Sequence, residues 1–370
     1  MKRRASRPVK VGGVTIGGGA PVSVQGMTKV PTHETEKVLD QIQRLAAAGC
    51  EIVRVAVPDQ RAVRALAKIK ASSSLPVVAD IHFDYRLALE ALEAGADKLR
   101  LNPGNIGGPE RVEKVVRAAL ARKVPIRVGV NAGSLDKAVR QRYGGVNAEA
   151  MVASALEHIR ILERLGFHDI VVSLKASDVA LTLAAYRLFA AKSDYPLHVG
   201  ITEAGTKRAG TVRSAVGLGI LLNEGIGDTI RVSLTGDPVE EIRVAYEILG
   251  ALNLRRRGVR LVSCPTCGRC QVDLVPVAEE VERRLKEITE PVTVAVMGCV
   301  VNGPGEAREA DVGLAAGQGA GVIFRKGEKL RKVPEDRMVD ELVGEVEKWL
   351  EQDCREGREW RNCPVRNANS

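Results

Sequence analysis

Residues 77–102, VVADIHFDYRLALEALEAGADKLRLN, contain the unit that decides the fold. An apolar run from Val77 to His82 leads into a helical stretch, which ends at Gly95 before a second apolar run from Lys98 to Asn102. Neither run alternates cleanly between apolar and polar residues, which is typical of parallel strands buried on both faces. Gly95 can supply the left-handed residue that ends a helix. The stretch therefore predicts a strand, a helix and a second parallel strand.

The same unit recurs through the first two thirds of the chain. We predict eight strands: Val22–Gln25, Ile52–Val57, Val77–His82, Lys98–Asn102, Ile126–Asn131, Ile170–Lys175, Leu197–Glu203 and Thr229–Leu234. Helical patterns lie between them, such as Glu34–Ala48, Pro109–Lys123, Ala148–Leu165 and Pro238–Leu249, and Gly49 and Gly166 follow helices as Gly95 does. Eight such units match a (β/α)₈ TIM barrel in number and size. A doubly wound open sheet is the alternative, but no Gly-x-Gly-x-x-Gly turn follows the first strand.

Polar residues collect where the predicted strands end, which is where barrel enzymes act. They are Gln25, Arg54, Asp80, His82, Arg100, Asn102, Arg127, Asn131, Ser173, Lys175, Thr202, Glu203, Arg231 and Ser233. Four of the arginines interrupt apolar strands, where an unpaired guanidinium is rare. One interpretation is that the arginines and acids neutralise one another structurally. The other is functional, because the excess of positive charge suits a phosphate or diphosphate.

The last third of the sequence predicts a second, small α+β domain. We expect a barrel domain at 1–252, a linker at 253–260, the second domain at 261–352 and a polar tail at 353–370, in which Cys354 and Cys363 have no role. Within the second domain we predict a strand ending at Ser263, a helix Val275–Ile288, a strand Val292–Met297, strands around 312–314 and 321–324, and a helix Glu335–Leu350.

Two cysteine motifs follow predicted strands of this second domain. They are Ser263-Cys264-Pro265-Thr266-Cys267 and Gly298-Cys299-Val300-Val301-Asn302-Gly303-Pro304-Gly305-Glu306. A Cys-x-x-Cys pair with a third thiol can hold a metal or an iron–sulfur cluster. Three thiolates leave one iron of a [4Fe–4S] cluster without a cysteine sulfur ligand, and a carboxylate could bind that iron. The alternative is a structural zinc bound by Cys264, Cys267, Cys270 or Cys299, although a second separate Cys-x-x-Cys is missing; spacing alone leaves the role of Cys270 open.

Composition narrows the class of protein. Seven cysteines without a regular framework favour a reduced, cytoplasmic setting over a disulfide scaffold. The basic start has no apolar segment after it, and no stretch of about 20 apolar residues could span a membrane. The net charge of +9 suits nucleic acid or an anionic small molecule. No aromatic platform accompanies the basic run at 255–257, so nucleic acid is not expected.

These motifs resemble those of the bacterial 4-hydroxy-3-methylbut-2-enyl diphosphate synthases of the non-mevalonate isoprenoid pathway. The resemblance runs from Val9 to about Leu350 and also includes Gly200-Ile201-Thr202-Glu203-Ala204-Gly205 and Gly225-Ile226-Gly227-Asp228-Thr229. It implies a TIM barrel followed by a cluster domain similar to those of sulfite and nitrite reductases. It also implies an iron–sulfur oxidoreductase that opens and dehydrates 2-C-methyl-D-erythritol 2,4-cyclodiphosphate with two electrons.

The resemblance also implies roles for single residues. Cys264, Cys267, Cys299 and Glu306 would hold the [4Fe–4S] cluster, and Glu203 and Glu306 would be catalytic. The substrate would be bound by Arg54, Asp80, His82, Arg100, Arg127, Asn131, Lys175, Arg231, Ser233 and Asn302. Flavodoxin or ferredoxin would donate electrons, and a homodimer would let one chain's cluster domain cap the other chain's barrel. A zinc-stabilised barrel enzyme acting on a phosphorylated substrate without redox chemistry is the alternative function.

Overall fold

The structure is a computed structural model that describes residues 2–299, 305 and 308–355, with the backbone alone for 353–355. Asn302, Glu306 and Cys363 of the sequence predictions lie outside these residues. The chain divides into two compact units between Arg255 and Arg256. None of the described helices combines the length and apolarity needed to cross a membrane.

The first unit contains ten strands and nine α-helices among its described residues. The strands are β1 (Val9–Val11), β2 (Val14–Ile16), β3 (Ser23–Met27), β4 (Ile52–Ala56), β5 (Val77–Asp80), β6 (Lys98–Leu101), β7 (Ile126–Asn131), β8 (Ile170–Lys175), β9 (His198–Val199) and β10 (Thr229–Ile230). The helices are α1 (Thr35–Ala47), α2 (Gln60–Ser72), α3 (Tyr85–Glu93), α4 (Pro109–Arg122), α5 (Lys137–Arg142), α6 (Ala148–Arg164), α7 (Val179–Ala190), α8 (Lys207–Asn223) and α9 (Pro238–Ala251).

Strands β3 to β10 form the predicted eight-stranded parallel barrel. Their order in the sheet is β8-β7-β6-β5-β4-β3-β10-β9, and a single parallel bridge between Val172 and Leu197 joins its two ends. Consecutive strands are neighbours from β3 to β8, which excludes the doubly wound alternative. The glycines after α1, α3 and α6, namely Gly49, Gly95 and Gly166, all have positive φ, as the sequence predicts.

Two barrel strands are shorter than the sequence predicts. The run Leu197–Glu203 is a strand at His198–Val199 alone, and the run Thr229–Leu234 is a strand at Thr229–Ile230 alone. A Cβ atom at Gly200 would lie 2.4 Å from the carbonyl oxygen of Arg231, so the two segments come very close where the ladder ends. Glu203 then has a φ of 52°, outside the strand region. The prediction from apolar content alone therefore overestimated the length of both strands.

A hairpin formed by β1 and β2 closes the N-terminal end of the barrel. Its residues Val9, Val11 and Ile16 form one buried cluster with Ile52, Val78 and Val171, which lie at the starts of their strands. Burying side chains of this size stabilises the fold by roughly 1.5–3 kcal/mol each. The sequence analysis did not predict this hairpin, and it leaves the opposite end of the barrel as the mouth.

The described residues of the second unit include a five-stranded mixed sheet and two long helices. The strands, in sheet order, are β11 (Val259–Ser263), β12 (Val292–Met297), β13 (Val312–Gly317), β14 (Ala320–Arg325) and β15 (Glu328–Pro334). Helices α10 (Leu274–Leu285) and α11 (Met338–Arg355) bury their apolar residues in one cluster with the sheet. The prediction of an α+β domain is confirmed, except that the polar edge strand β15 was missed.

Candidate active site

The barrel mouth gathers the polar residues that the sequence analysis placed at strand ends. Arg54 lies in β4, Asp80 ends β5, Arg100 lies in β6, Arg127 lies in β7, and Asn131 and Lys175 end β7 and β8. Arg231 and Ser233 follow β10, and His82 follows β5. Because the carboxyl ends of parallel strands meet at one end of a barrel, the residues that end or follow strands share one rim. The prediction that Arg127 lies at a strand end is wrong, because it is the second residue of β7 and is buried inside the barrel. The like charges of Arg127, Arg231, Arg54 and Arg100 are near enough to Lys175 to add to the lowering of its pKa that burial causes.

Asp80 is the acid at the centre of the described rim. Its carboxylate lies 3.7 Å from Nε of Arg54, 3.3 Å from Nη1 of Arg100 and 3.5 Å from Nε2 of His82. Arg100 Nη1 also lies 3.1 Å from Nδ1 of His82. Burial alone would raise the pKa of Asp80, but Arg54, His82 and Arg100 hold it well below its usual range. The carboxylate therefore stays charged and fixes two arginines and an imidazole.

Arg54 points its guanidinium at a sulfur atom as well as at Asp80. Nε and Nη2 of Arg54 lie 3.1 and 2.7 Å from Sδ of Met27, at the end of β3. Burial lowers the pKa of Arg54 to about 10. The guanidinium is still cationic at neutral pH. The thioether of Met27 is a weak acceptor, so most of the positive charge of Arg54 remains available to an anion.

Arg127 is buried, with 2% of its surface exposed, and is only partly satisfied. Nη1 donates a hydrogen bond of 2.7 Å to Oγ of Ser173, while Nε and Nη2 have no partner among the described residues. Burial lowers the pKa of Arg127, and the neighbouring guanidinium groups of Arg54 and Arg100 lower it further. Buried donors are nearly always paired, so free donors here indicate a place for an anionic ligand.

Arg231 forms an ion pair with Glu241, a residue that the sequence analysis did not identify. Nη2 of Arg231 lies 3.7 Å from Oε2 of Glu241, which is buried in α9. Oε1 of Glu241 accepts hydrogen bonds of 2.9 Å from the Leu234 amide and is paired at 2.9 Å with Nζ of Lys29. A charged residue on the apolar face of the helix pattern Pro238–Leu249 is the signal that could have identified it.

Glu203 lies in the turn after β9 and is exposed. It makes no ion pair with any described residue. The prediction that it ends a strand is wrong, as described above, but the turn still places it on the C-terminal side of β9. The structure therefore leaves the carboxylate accessible to solvent and to a ligand at the mouth.

The thiols of the second unit lie at adjacent strand ends. Cys264 follows β11, Cys299 follows β12, and these two strands are parallel neighbours with Ser263 opposite Val296. Backbone and side-chain hydrogen bonds from Arg269 lower the pKa of Cys267, and a smaller influence of Cys299 raises it. No three His, Cys, Asp or Glu side chains of the described residues form a complete metal site.

Cys270 lies beside these thiols but is turned into the protein. Its Sγ donates to the carbonyl of Val272 at 3.3 Å and packs against the core of the second unit. A Cβ atom at Gly298 would lie 2.4 Å from this sulfur, so Gly298 leaves the space that the thiol fills. The thiol of Cys270 therefore already has a hydrogen-bond acceptor and packing partners within the second unit.

Thiolate ligands suit iron–sulfur clusters and zinc. The donor set of Cys264, Cys267 and Cys299 fits such a group chemically, because Cys264 and Cys299 follow neighbouring strands and hydrogen bonds favour the thiolate form of Cys267, although the described residues do not gather three such side chains into one metal-binding group. The structure thus places Cys264 and Cys299 at neighbouring strand ends, with Cys267 three residues after Cys264. The carboxylate predicted to complete the set, Glu306, lies outside the described residues.

Both units of the chain match known protein families. Residues 6–246 match the GcpE TIM-barrel domain, and residues 260–348 match the GcpE protein C-terminal domain. The 4-hydroxy-3-methylbut-2-en-1-yl diphosphate synthase (flavodoxin) of Geobacter sulfurreducens is 66% identical, over 93% of this chain and 98% of that protein. The protein of the same name from Caldanaerobacter subterraneus subsp. tengcongensis is 56% identical, over 95% of this chain and 99% of that protein.

Solved structures support the fold of the first unit. Dihydropteroate synthase from Stenotrophomonas maltophilia is similar over 67% of this chain and 98% of that chain, with a TM-score of 0.51 and 17% identity. At this identity the likeness concerns the fold alone. The expectations of a TIM barrel and of a family resemblance are therefore confirmed.

Proposed function

The chain belongs to the GcpE family, and on that premise we propose that it catalyses the reaction for which its relatives are named, the formation of 4-hydroxy-3-methylbut-2-enyl diphosphate. The substrate is 2-C-methyl-D-erythritol 2,4-cyclodiphosphate, whose ring is opened reductively with loss of water. This is the function expected from the sequence motifs. The alternative, a zinc-stabilised enzyme without redox chemistry, has no support from the relatives' names.

The observation that carries the proposal is the excess of buried and half-buried cations in the barrel. Arg54, Arg100, Arg127, Lys175 and Arg231 lie together, and the described acids that pair with them are Asp80 and Glu241. A purely structural network would balance these charges, because uncompensated buried charge is costly. A diphosphate supplies the missing negative charge, and guanidinium groups bind it bidentately.

The remaining substrate contacts follow from position on the rim. Asn131 at the end of β7 and Ser233 after β10 offer neutral hydrogen bonds beside the cations. His82 is held between Asp80 and Arg100 and presents an exposed ring edge. We assign all three to substrate binding, together with Asn302, which lies outside the described residues.

We assign the cofactor site to Cys264, Cys267 and Cys299, with Glu306 as the fourth ligand. When bound, a [4Fe–4S] cluster supplies electrons one at a time at low potential. The chain's own part is to hold three thiolates at the ends of β11 and β12 and to keep Cys270 out of the ligand set. These thiols need a reducing setting, which supports the cytoplasmic location expected from the sequence.

Loss of the hydroxyl group as water requires a proton. We assign its delivery to Glu203, because its carboxylate is exposed and lies on the C-terminal side of β9. Its left-handed backbone conformation costs roughly 1–3 kcal/mol for a residue other than glycine. Such strain is often retained where a side chain must point in a functional direction.

The partners follow from the relatives and from the surface. The relatives' names include flavodoxin, which favours flavodoxin over ferredoxin as electron donor. A second copy of the chain is supported by α8, which exposes an apolar stripe of Val212, Val216 and Ile220 on its outer face. A homodimer would cover this stripe, and one chain's second domain could then serve the other chain's barrel.

Anaerobic purification followed by metal analysis and turnover tests the proposal. We expect about four iron and four sulfide per chain, as a [4Fe–4S] cluster requires, and conversion of the cyclic diphosphate with reduced flavodoxin. Colourless, zinc-containing protein without this turnover would favour the non-redox alternative.

Mixing Arg54→Ala and Cys299→Ser proteins tests the homodimer, because it should restore part of the activity if the two active-site halves come from different chains.

A further inference from the structure

Gly129 is an unusual residue for its place in β7. The strand reads Ile126-Arg127-Val128-Gly129-Val130-Asn131, and all of it is buried except Asn131. The φ angle of Gly129 lies outside the positive range, so its backbone conformation does not require a glycine. Glycine in the interior of a strand weakens the strand and often marks a place where another group approaches closely. A close contact, and not a turn, therefore explains this residue.

The group that approaches Gly129 is the guanidinium of Arg100. A Cβ atom at Gly129 would lie 3.0 Å from Nε and 3.5 Å from Nη2 of Arg100, and 3.3 Å from Oγ of Ser173. Because Gly129 has no side chain, the guanidinium lies against the backbone of β7, where Nη2 is 3.4 Å from the carbonyl oxygen of Gly129. The position of Arg100 in the barrel thus depends on a glycine in the neighbouring strand.

Arg100 has little freedom to move aside for a larger residue. Its Nη1 lies 3.3 Å from Oδ1 of Asp80 and 3.1 Å from Nδ1 of His82, and its side chain is 8% exposed. The shortest distance from the Cβ position is to Nε, which lies in the middle of the side chain and not at its tip. In a close-packed interior, an added methyl group at residue 129 would displace the guanidinium and break these contacts.

Asn102 fixes the backbone of Gly129. Nδ2 of Asn102 donates a hydrogen bond to the Gly129 carbonyl oxygen, and Oδ1 accepts one from the Gly129 amide, both at 2.8 Å. These bonds follow directly after the ladder between β6 and β7, whose last pair is Leu101 with Val128. Asn102 is buried, so the two bonds are shielded from water. The backbone against which Arg100 lies is therefore held at both of its polar groups.

We propose that Gly129 is a positioning residue that orients the guanidinium of Arg100 for the anionic substrate. This role rests on the proposed function, because it takes Arg100 as a ligand of the diphosphate. A side chain at residue 129 would occupy the space of the guanidinium and turn it out of line with the phosphate group. Bidentate binding needs the planar guanidinium in a defined orientation, so a small displacement lowers the affinity.

A double-mutant cycle tests this role, with inorganic pyrophosphate as the probe and isothermal titration as the measurement. Gly129→Ala should bind pyrophosphate about tenfold more weakly than the unmodified chain, which is a loss of ~1.4 kcal/mol. In the Arg100→Ala background, the same change should alter the affinity less than about twofold, because the displaced group is absent. Gly13→Ala is the matched control, since Gly13 lies between β1 and β2 and a Cβ atom there would meet nothing within 4 Å.

Equal affinity of Gly129→Ala and the unmodified chain would overturn the proposal, and so would an equal loss in both backgrounds. Urea unfolding of the same four proteins without ligand gives a second cycle, which decides even if the unmodified chain binds no pyrophosphate and the proposed function fails. There, a smaller effect of Gly129→Ala in the Arg100→Ala background supports the positioning of Arg100, and equal effects overturn it. If Gly129→Ala alone does not fold, recovery of folding in the double variant supports the role, and no recovery overturns it.

Discussion

Glu241 reaches from α9 to within 3.7 Å of the guanidinium of Arg231 and also accepts the Leu234 amide hydrogen bond at 2.9 Å. These two contacts fix the segment after β10, which carries both Arg231 and Ser233. Glu241 is buried, with 1% of its surface exposed, and its charge is balanced by Arg231 and Lys29. We therefore treat it as a positioning residue for the anion site.

Glu241→Gln should weaken substrate binding by about 1.4 kcal/mol, which is a tenfold rise in the dissociation constant. The amide keeps the shape but not the charge, so Arg231 is held less firmly. The dissociation constant of the cyclic diphosphate should rise while bound substrate still reacts. Glu240→Gln is the matched control, because Glu240 is next to it on α9 and pairs with Lys207 and Arg243 instead. Equal affinity in both variants would contradict the role.

The main features of the barrel could be predicted from sequence because its strands are buried on both faces. The runs at Ile52 and Ile170 consist almost wholly of apolar residues, and the glycines after α1, α3 and α6 mark helix ends. The two short strands β9 and β10 show the limit of this approach. Apolar content continues to Leu234, but the ladder ends at Val199 and Ile230, next to the point where Gly200 leaves no space for a side chain beside the Arg231 carbonyl.

The elements that were missed have polar or very short sequences. Strand β15 contains Lys329, Arg331 and Lys332 and lies at a sheet edge, where polar side chains are normal. The hairpin at Val9–Ile16 has three-residue strands, too short for a periodicity. The position of Glu241 on the apolar face of its helix pattern is a local signal for burial, but the sequence does not show that its partner is Arg231. Tertiary contacts, and not local composition, define all three.

Asp80→Asn should lower the free energy of unfolding of the barrel by about 3 kcal/mol, as expected when a buried charge network loses its acid. Arg54 and Arg100 then lose their common partner. Inorganic pyrophosphate should stabilise this variant more than the unmodified chain, because an anion replaces the missing charge. Urea unfolding with and without pyrophosphate measures both effects.

The effect of Asp80 should depend on pH in a defined direction. A carboxylate whose pKa is lowered on folding contributes stability above its unfolded pKa of about 4 and loses that contribution as the pH falls towards the folded pKa. The difference in the free energy of unfolding between the unmodified chain and Asp80→Asn should therefore become smaller in acid. Asp84→Asn is the control, since Asp84 is an exposed helix cap that asparagine can replace. A difference that grows in acid would contradict a lowered pKa of Asp80 in the folded chain.

Arg127→Ala should weaken binding of the diphosphate by about 1.5–3 kcal/mol, the usual contribution of a charge-assisted hydrogen bond. Two of its nitrogen atoms are buried without a described partner and are available to the ligand. Isothermal titration with pyrophosphate measures the loss. Arg117→Ala removes a surface arginine that pairs with Glu113 on α4 and should leave binding unchanged. If both variants bind equally well, Arg127 is structural.

Glu203→Gln should lower turnover at least tenfold while substrate binding and iron content stay unchanged. The amide cannot deliver a proton, and general acid catalysis typically contributes about 10²–10⁴-fold. Glu224→Gln, at a surface position paired with Arg187, is the control. Single-turnover kinetics with prereduced enzyme separates this step from electron delivery. Normal turnover in Glu203→Gln would place the proton donor elsewhere.

The last prediction separates the proposed cluster ligands from Cys270. Cys264→Ser, Cys267→Ser and Cys299→Ser should each lose most iron, because hydroxyl groups are poor ligands for a cluster that soft thiolates hold. Cys270→Ser should keep both iron and turnover, since that sulfur bonds to the Val272 carbonyl and fills the space at Gly298. Its hydroxyl can make the same hydrogen bond.

Glu306→Ala completes this series, because four thiolates would leave no iron open to the substrate, whereas a carboxylate is displaced easily. This variant should retain a cluster but lose most turnover. Iron and sulfide analysis with electron paramagnetic resonance measures retention, and product formation measures turnover. If Cys270→Ser loses the cluster while Glu306→Ala stays active, the ligand set is all cysteine and the open-iron mechanism is wrong.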